Sequence, residues 1–178
     1  MTKKQLREMV KERISKFENK GQASLEIAKK VFMSSEYINA NRIFIYLSCD
    51  YEVSTDKIIE DAFKSGKKVY VPIIKKDNKM YEAGLYPLSL LKKGKYGIKR
   101  PLIAKTTKKS TDLAIIPLAG FDKQRNRLGR GGGYYDRFLK DYKGKTIALA
   151  FSCQELDNMV NEKHDIKPQK IITEEKTY

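Results

Sequence analysis

Residues 42–74 read RIFIYLSCDYEVSTDKIIEDAFKSGKKVYVPII, and this stretch decides the fold class. Its two ends, residues 42–48 and 68–74, are short apolar runs rich in Ile and Val, which is typical of buried strands. Between them, residues 55–65 repeat apolar side chains at helical spacing, and Gly66 supplies a helix stop. A strand, a helix and a second strand in this order predict parallel strands covered by a helix.

The same alternation continues on both sides of this unit. Apolar spacing predicts two earlier helices, over residues 6–17 and 25–32, with Thr2 as the cap of the first. Residues 80–85 would return as a third strand. The remaining predicted strands are residues 113–118, 146–152 and 170–173.

The predicted fold is therefore an α/β protein, a three-layer α/β/α sandwich with a largely parallel, mixed central sheet, and residues 1–178 form a single domain. Residues 92–111 are expected to be an irregular surface loop. Residues 119–133 should be a long polar loop and residues 134–142 a short helix. Sheets of this kind bind ligands beyond the carboxyl ends of their strands, so the loops at 48–55 and 119–133 are where a ligand site is expected.

The composition indicates a globular protein and excludes several classes. Of the 178 residues, 40% are hydrophobic and 33% are charged. No apolar run approaches the roughly 20 residues of a membrane-spanning helix, and the first residues lack the apolar core of a secretory signal. Cys49 and Cys153 have no CxxC partner, which excludes a structural zinc site and fits a reducing compartment. We expect a cytoplasmic protein.

The charge is strongly positive. The formal net charge is +15, and residues 64–109 hold 14 Lys or Arg against two acidic residues, Asp77 and Glu82. Such charge suits a nucleic acid, a membrane surface or an anionic substrate. Lys outnumbers Arg by 29 to 8, however, and Arg is preferred for reading bases and phosphates. A basic nucleic-acid-binding protein without catalysis remains the alternative, and a steep loss of binding with salt would identify it.

The segment that carries chemistry is residues 120–139, GFDKQRNRLGRGGGYYDRFL. Its glycines lie between a predicted strand and a predicted helix, where backbone N–H groups can converge on an anion. Arg125, Arg127 and Arg130 add positive charge, and Asp136 is an oxygen ligand of the type that Mg²⁺ accepts. The segment matches neither the Walker A nor the GxGxxG pattern. It favours a nucleotide-phosphate site over a flexible hinge beside solvated arginines.

Residues 127–139, RLGRGGGYYDRFL, closely resemble the signature of the 5-formyltetrahydrofolate cyclo-ligase family, also called methenyltetrahydrofolate synthetases. Weaker stretches occur in the family's order, namely a Lys-x-x-x-Arg at the start, IYLSCDYEVST, KKVYVPII, KYGIKRP, DLAIIPLAGFD and a His164-Asp165 pair.

The resemblance implies closure of 5-formyltetrahydrofolate to 5,10-methenyltetrahydrofolate, with ATP and Mg²⁺ as cofactors. ATP would phosphorylate the formyl oxygen, and N10 would then attack the activated carbon. The resemblance is compatible with a substrate that carries a polyglutamate tail. It implies no nucleic-acid or membrane partner, and a protein that is a monomer or a dimer. A folate-storage protein that binds without turnover would use the same residues and stays open.

The resemblance also implies roles for individual residues. Arg127 and Arg130 would be catalytic, and Asp136 would hold the metal. Substrate-binding residues would be Leu47, Glu52, Tyr134 and Tyr135. Nucleotide-binding residues would be Lys3, Lys4, Arg7, Arg127, Leu128, Gly129, Arg130, Gly131, Gly132, Gly133, Tyr134 and Tyr135. On the residues alone, Lys3, Arg7 and Glu52 are better explained as solvated charges.

Five positions matter for the comparison with the family pattern. The family commonly has Gly in place of Arg125, which puts the shape of that turn in question because Arg rarely adopts a left-handed backbone. Gly132 stands where some members have Lys, and Gln169 aligns best with an Asp that contacts metal in some members. Arg100 stands where an acidic residue is usual. His164 is given no catalytic role.

The cationic stretch suggests one further expectation. A polyglutamate tail is a chain of carboxylates that must point away from the pterin, and cations near the KYGIKRP segment could bind it. We predict that they form a cationic lip, defined by Lys92, Lys93, Lys95, Lys99 and Arg100.

Overall fold

The computed structural model describes residues 1–93, 99–107, 110–157, 159 and 165–178. Its helices are α1 (Lys3–Lys16), α2 (Lys20–Phe32), α3 (Ser35–Asn39), α4 (Asp56–Lys64) and α5 (Tyr134–Leu139), with a short 3₁₀ helix at Ser152–Gln154. Its strands are β1 (Arg42–Ile45), β2 (Lys68–Ile74), β3 (Met80–Leu85), β4 (Leu91–Lys93), β5 (Lys99–Pro101), β6 (Leu113–Pro117), β7 (Gly120–Phe121), β8 (Arg127–Leu128), β9 (Lys145–Leu149) and β10 (Lys170–Ile172). No helix in these residues is long and apolar enough to cross a membrane.

Across the described residues, the main sheet has six strands in the order β10–β9–β6–β1–β2–β3. Neighbouring strands are parallel except β2 and β3, which are antiparallel. The prediction of a largely parallel, mixed sheet is therefore confirmed. The central strand β1 is covered on both faces, which explains why Ile43, Phe44 and Ile45 form an unbroken apolar run.

Helices cover both faces of this sheet. On one face, Ile43 and Ile45 belong to a core that includes Ile27 of α2 and Ile58 of α4. On the other face, Phe44 belongs to a core with residues of α5, and its ring stacks on that of Phe138 at 4.6 Å between centroids. Because successive strand residues point to opposite faces, one short run supplies both cores. The result is the predicted three-layer arrangement.

Helix α1 packs at the edge where the site is built. It begins at Thr2 as predicted, with a capping box in which the Thr2 side chain and the Gln5 backbone, and the Gln5 side chain and the Thr2 backbone, are hydrogen-bonded. Its buried residues Val10 and Ile14 pack with Leu128 of β8 in a separate apolar cluster. This cluster fixes α1 beside the glycine-rich segment.

Several details differ from the prediction. The expected loop at 92–111 contains strands β4 and β5, which pair as an antiparallel hairpin, and the expected loop at 119–133 contains the small hairpin β7–β8. These strands are only two or three residues long, which is too short to show an alternation of apolar and polar side chains. They are recognised only by their pairing with a second segment. Helix α5 ends at Leu139, three residues before the predicted end, and helix α3 was not predicted.

Candidate functional site

The turn between β7 and β8 positions Arg127 directly before the glycine-rich residues 129–133. The Asp122 carboxylate accepts hydrogen bonds from the backbone N–H of Gln124 at 3.0 Å and of Asn126 at 2.9 Å. It also accepts one from the Asn126 side chain at 2.7 Å. These bonds stabilise a tight turn in which Arg125 has a φ of 62°. Arg125 therefore adopts the left-handed backbone that the sequence put in question, at a position that favours glycine.

Arg127 is buried beneath the loop, with its side chain only 2% exposed. It forms an ion pair with Asp136, in the first turn of α5. A buried charge is costly unless it is paired, so this carboxylate is what allows the guanidinium to lie inside the protein. The Arg127 Nε–H group is buried and has no acceptor among the described residues. One strong donor is therefore left for a ligand or a water molecule.

The glycine-rich loop, residues 129–133, requires its glycines at specific positions. Gly131 has a φ of 101° and Gly133 a φ of 62°, which side chains rarely allow. Arg7 of α1 donates from Nε to the carbonyl oxygen of Gly129 at 2.7 Å, and a Cβ at Gly131 would lie 3.6 Å from the Arg7 guanidinium carbon. The loop thus lies directly against the Arg7 guanidinium.

The other side of the loop faces Glu52, in the turn after β1. The Glu52 Oε1 atom lies 2.7 Å from an Nη2 of Arg130, and its Oε2 atom accepts from the Cys49 backbone N–H at 2.8 Å. The Glu52 side chain is 8% exposed. Burial by itself would lower the pKa of Arg130, but the Glu52 carboxylate raises it above its usual value.

The remaining predicted residues are distributed around this centre. Lys3 lies 2.7 Å from Asp165, and Lys4 is exposed on α1. Leu47 and Tyr134 are half-buried. Burial raises the pKa of Tyr135 well above its usual value, and the Glu52 carboxylate raises it further, so Tyr135 remains a neutral hydrogen-bonding group. Leu128 is buried beside α1 as part of the apolar cluster, so only its backbone can contact a ligand.

The glycine-rich loop therefore connects two unlike surfaces. On the side of α1, guanidinium groups and backbone N–H groups suit an oxyanion such as a phosphate. On the side of the turn after β1, a nearly buried carboxylate suits a ligand with N–H donors. A phosphorylated or phosphate-donating compound and a nitrogen-rich ring can be held side by side.

Comparison with known proteins assigns this chain to a family. Residues 1–174 match the model of the 5-formyltetrahydrofolate cyclo-ligase family. The chain belongs to this family. It is 35% identical to the mouse 5-formyltetrahydrofolate cyclo-ligase over 97% of this chain and 94% of that protein. It is 32% identical to the Haemophilus influenzae 5-formyltetrahydrofolate cyclo-ligase over 82% of each.

The fold agrees with a solved structure of the same kind. The NMR structure of Aquifex aeolicus 5,10-methenyltetrahydrofolate synthetase has a TM-score of 0.86, with 24% identity over 99% of this chain and 92% of that one. That likeness supports the fold, and the sequence matches support the family. The protein is thus an enzyme of the cyclo-ligase class.

Two departures from the cyclo-ligase pattern have a structural explanation. A Cβ at Gly132 would lie 2.8 Å from the Tyr134 ring, so a side chain here would require that ring to move. Gln169 exchanges two hydrogen bonds with Thr146, at 3.1 Å and 3.0 Å. Because Gln169 precedes β10 and Thr146 lies at the start of β9, this contact is at the amino ends of the strands, away from the loop that follows β6.

The segment that contacts Asp136 includes an acidic residue, Asp165. The backbone N–H of Ile166, directly after Asp165, lies 3.5 Å from Asp136 Oδ1. Asp165 in turn contacts Lys3 of α1. His164 and Lys95 lie outside the described residues.

Sequence reasoning missed three residues of the site. Arg137 of α5 donates from Nη2 to the Gly132 carbonyl at 3.0 Å and lies over the Tyr134 ring, which adds a cation at the loop. Tyr51 and Cys49 both contact Arg130. For Arg137, its place one helical turn after Tyr134 was an available signal. For Tyr51 and Cys49 the only signal was their proximity to Glu52.

Proposed function

We propose that this cyclo-ligase closes 5-formyltetrahydrofolate to 5,10-methenyltetrahydrofolate in a reaction that depends on ATP and Mg²⁺, with residues 1–178 acting as one domain in the cytoplasm. The observation that carries the proposal is the position of the glycine-rich loop. Arg7 contacts the loop at Gly129, and Arg130 of the loop reaches Glu52. A phosphate donor and a pterin bound on these two sides would meet at the loop.

The residues present fit a triphosphate. Three kinds of donor can bind a phosphate here: the Arg127 Nε–H, which has no acceptor among the described residues, the Arg7 guanidinium and the backbone N–H groups of residues 129–133. Lys3 and the exposed Lys4 are on the same helix as Arg7, and Arg130, which contacts Glu52, belongs to the loop itself. Bound ATP would supply the phosphoryl group that turns the formyl oxygen into a leaving group. The arginines would neutralise the charge that develops during transfer, which is the main requirement of such chemistry.

Asp136 is the residue proposed to bind Mg²⁺. Its Oδ1 atom faces Arg127 and Ile166, whereas its Oδ2 atom lies 3.8 Å from the position of a Cβ at Gly129, toward the loop. No cluster of three or more metal-ligating side chains exists in the part of the chain that the structure describes. Mg²⁺ often keeps water and phosphate oxygens as ligands, so one carboxylate fits this mode of binding.

On the folate side, the chain's own groups orient the substrate. Glu52 would accept hydrogen bonds from the N–H edge of the pterin, and Leu47, Tyr134 and Tyr135 would provide apolar surface. With the ring fixed, N10 can approach the activated formyl carbon. A C–N bond then forms, the C–O bond to the phosphorylated oxygen breaks, and ADP and phosphate are released.

The activity is tested by the absorbance of the methenyl product. Purified protein is mixed with 5-formyltetrahydrofolate, ATP and Mg²⁺, and parallel samples omit ATP or contain a chelator. We expect product only in the complete mixture. The absence of product from freshly purified, folded protein would refute the proposed function, and product without ATP would refute its mechanism.

We further propose that the β4–β5 hairpin binds the polyglutamate tail of the substrate. The strand register places Lys92 opposite Arg100 and Lys93 opposite Lys99. Like charges directly opposite each other destabilise a hairpin, so the pairing of Lys92 with Arg100 leaves positive charge that an anionic ligand would neutralise. Exposed ion pairs contribute only about 0.2–1 kcal/mol each, but several of them can act on one tail.

The lip is tested with mono- and pentaglutamate substrates at low and high salt. We expect a lower KM for the pentaglutamate at low salt, and a loss of this preference at high salt because of screening. Changing Lys92, Lys93 and Lys95 to Ser should also remove it. Equal KM values for the two substrates at low salt would contradict the lip. The matched control changes three lysines elsewhere to Ser: Lys11, Lys57 and Lys76.

A further inference from the structure

The Arg130 guanidinium contacts three residues of the turn after β1: Cys49, Tyr51 and Glu52. Its guanidinium carbon lies 4.6 Å from the centre of the Tyr51 ring, and Nη2 lies 2.7 Å from Glu52 Oε1. Its Nη1 lies 3.8 Å from the Cys49 sulfur. The planar group thus has an aromatic ring against it and a carboxylate at its N–H edge.

The same environment would also suit the ring edge of a pterin. The pyrimidine ring of a pterin carries an amino group between two ring nitrogens, which is the same planar N–C–N pattern with N–H donors. A guanidinium and this ring edge therefore need the same partners, a carboxylate at the edge and an aromatic ring below. Both Glu52 oxygens are engaged, Oε1 by Arg130 and Oε2 by Cys49.

We propose that Tyr51 is a substrate-binding residue that stacks on the pterin, and that Arg130 occupies the pterin position until the substrate displaces it. The inference rests on the proposed function. Tyr51 is 53% exposed, so its ring is accessible to a ligand. Arg130 lies between Gly129 and Gly131, which allow it to turn toward the phosphate side of the loop. A nucleotide that attracts Arg130 would then free Glu52 for the folate.

The proposal makes Arg130 a competitor of the folate when no nucleotide is present. If Arg130 occupies Glu52 most of the time, the apparent affinity for folate falls by the fraction of protein in which the carboxylate is free. Removing the guanidinium should therefore strengthen folate binding. A residue that simply contacts the substrate would show the opposite effect.

The test is calorimetric titration of the full-length protein with 5-formyltetrahydrofolate in the absence of ATP. Tyr51→Ala should weaken binding about 2- to 12-fold, the ratio that corresponds to a loss of aromatic stacking. The control Tyr51→Phe keeps the ring and should bind within about twofold of wild type. Arg130→Gln should bind about threefold more tightly, and a non-hydrolysable ATP analogue should strengthen binding to wild type but not to Arg130→Gln.

A second probe separates the pterin from the rest of the substrate. p-Aminobenzoylglutamate lacks the pterin, so its binding should be the same in wild type, Tyr51→Ala and Arg130→Gln. Weaker folate binding by Arg130→Gln, or unchanged binding by Tyr51→Ala, would overturn the inference while leaving the proposed function in place. Wild-type protein that binds no 5-formyltetrahydrofolate, with or without the analogue, would overturn the proposed function and this inference with it.

Discussion

Replacing Arg125 by glycine is expected to stabilise the protein. Arg125 has a φ of 62° in the turn before β8, and its backbone N–H donates to the Asp122 carbonyl at 2.9 Å. Holding a side chain in this region costs about 1–3 kcal/mol. Glycine removes that cost and keeps the backbone hydrogen bond, but its greater freedom in the unfolded chain offsets about 0.5–1 kcal/mol. The free energy of unfolding should therefore rise by about 1 kcal/mol.

Urea unfolding followed by circular dichroism measures this change. In a protein of this length, a gain of about 1 kcal/mol corresponds to a rise in Tm of roughly 2–4 °C. The control Arg125→Ala removes the same charge but keeps a Cβ, so its unfolding midpoint should stay close to that of wild type. If the urea concentration at the unfolding midpoint is no higher for Arg125→Gly than for Arg125→Ala, the turn stores no strain and the reasoning is wrong.

Three further predictions concern the site and the pH dependence of stability. Arg127→Ala should raise the KM for ATP about 10- to 100-fold, because a charge-assisted hydrogen bond contributes about 1.5–3 kcal/mol, and the KM for folate should rise less. The control is Arg13→Ala, which removes an exposed cation of α1. Unchanged ATP kinetics in Arg127→Ala would show that Arg127 is not part of the site. Asp136→Asn should lower activity and be partly rescued by excess Mg²⁺, and full activity at low Mg²⁺ would show that Asp136 has no metal role. Burial raises the pKa of Cys153 to about 11 from 9.0, so the folded state keeps this proton longer than the unfolded chain. Stability from this group should be complete below about pH 9 and be lost as the pH rises to about 11, and a Cys153→Ala variant with the same high-pH slope in urea unfolding would contradict the assignment.

The local pattern of the chain determined the main elements of the fold. Strands β1 and β6 are short, mostly apolar runs buried on both faces, and β2 is a largely buried one. Helices α1, α2 and α4 have apolar residues at helical spacing. These signals depend on neighbouring residues along the chain, so they can be read without the fold. The glycine-rich signature is equally local, because its backbone angles and its donors lie within a few residues.

The tertiary structure alone decided which side chains meet. Arg7 contacts Gly129 across 122 positions of the chain, and Lys3 contacts Asp165 across 162. The pairing of Arg130 with Glu52 and the burial of Arg127 against Asp136 likewise depend on how the loops after β1 and β6 are brought to the same edge of the sheet. A side chain's charge is visible in the sequence, but its exposure and its partner depend on packing between distant segments, because the cost of burying a charge is offset only by the particular group that the fold places beside it.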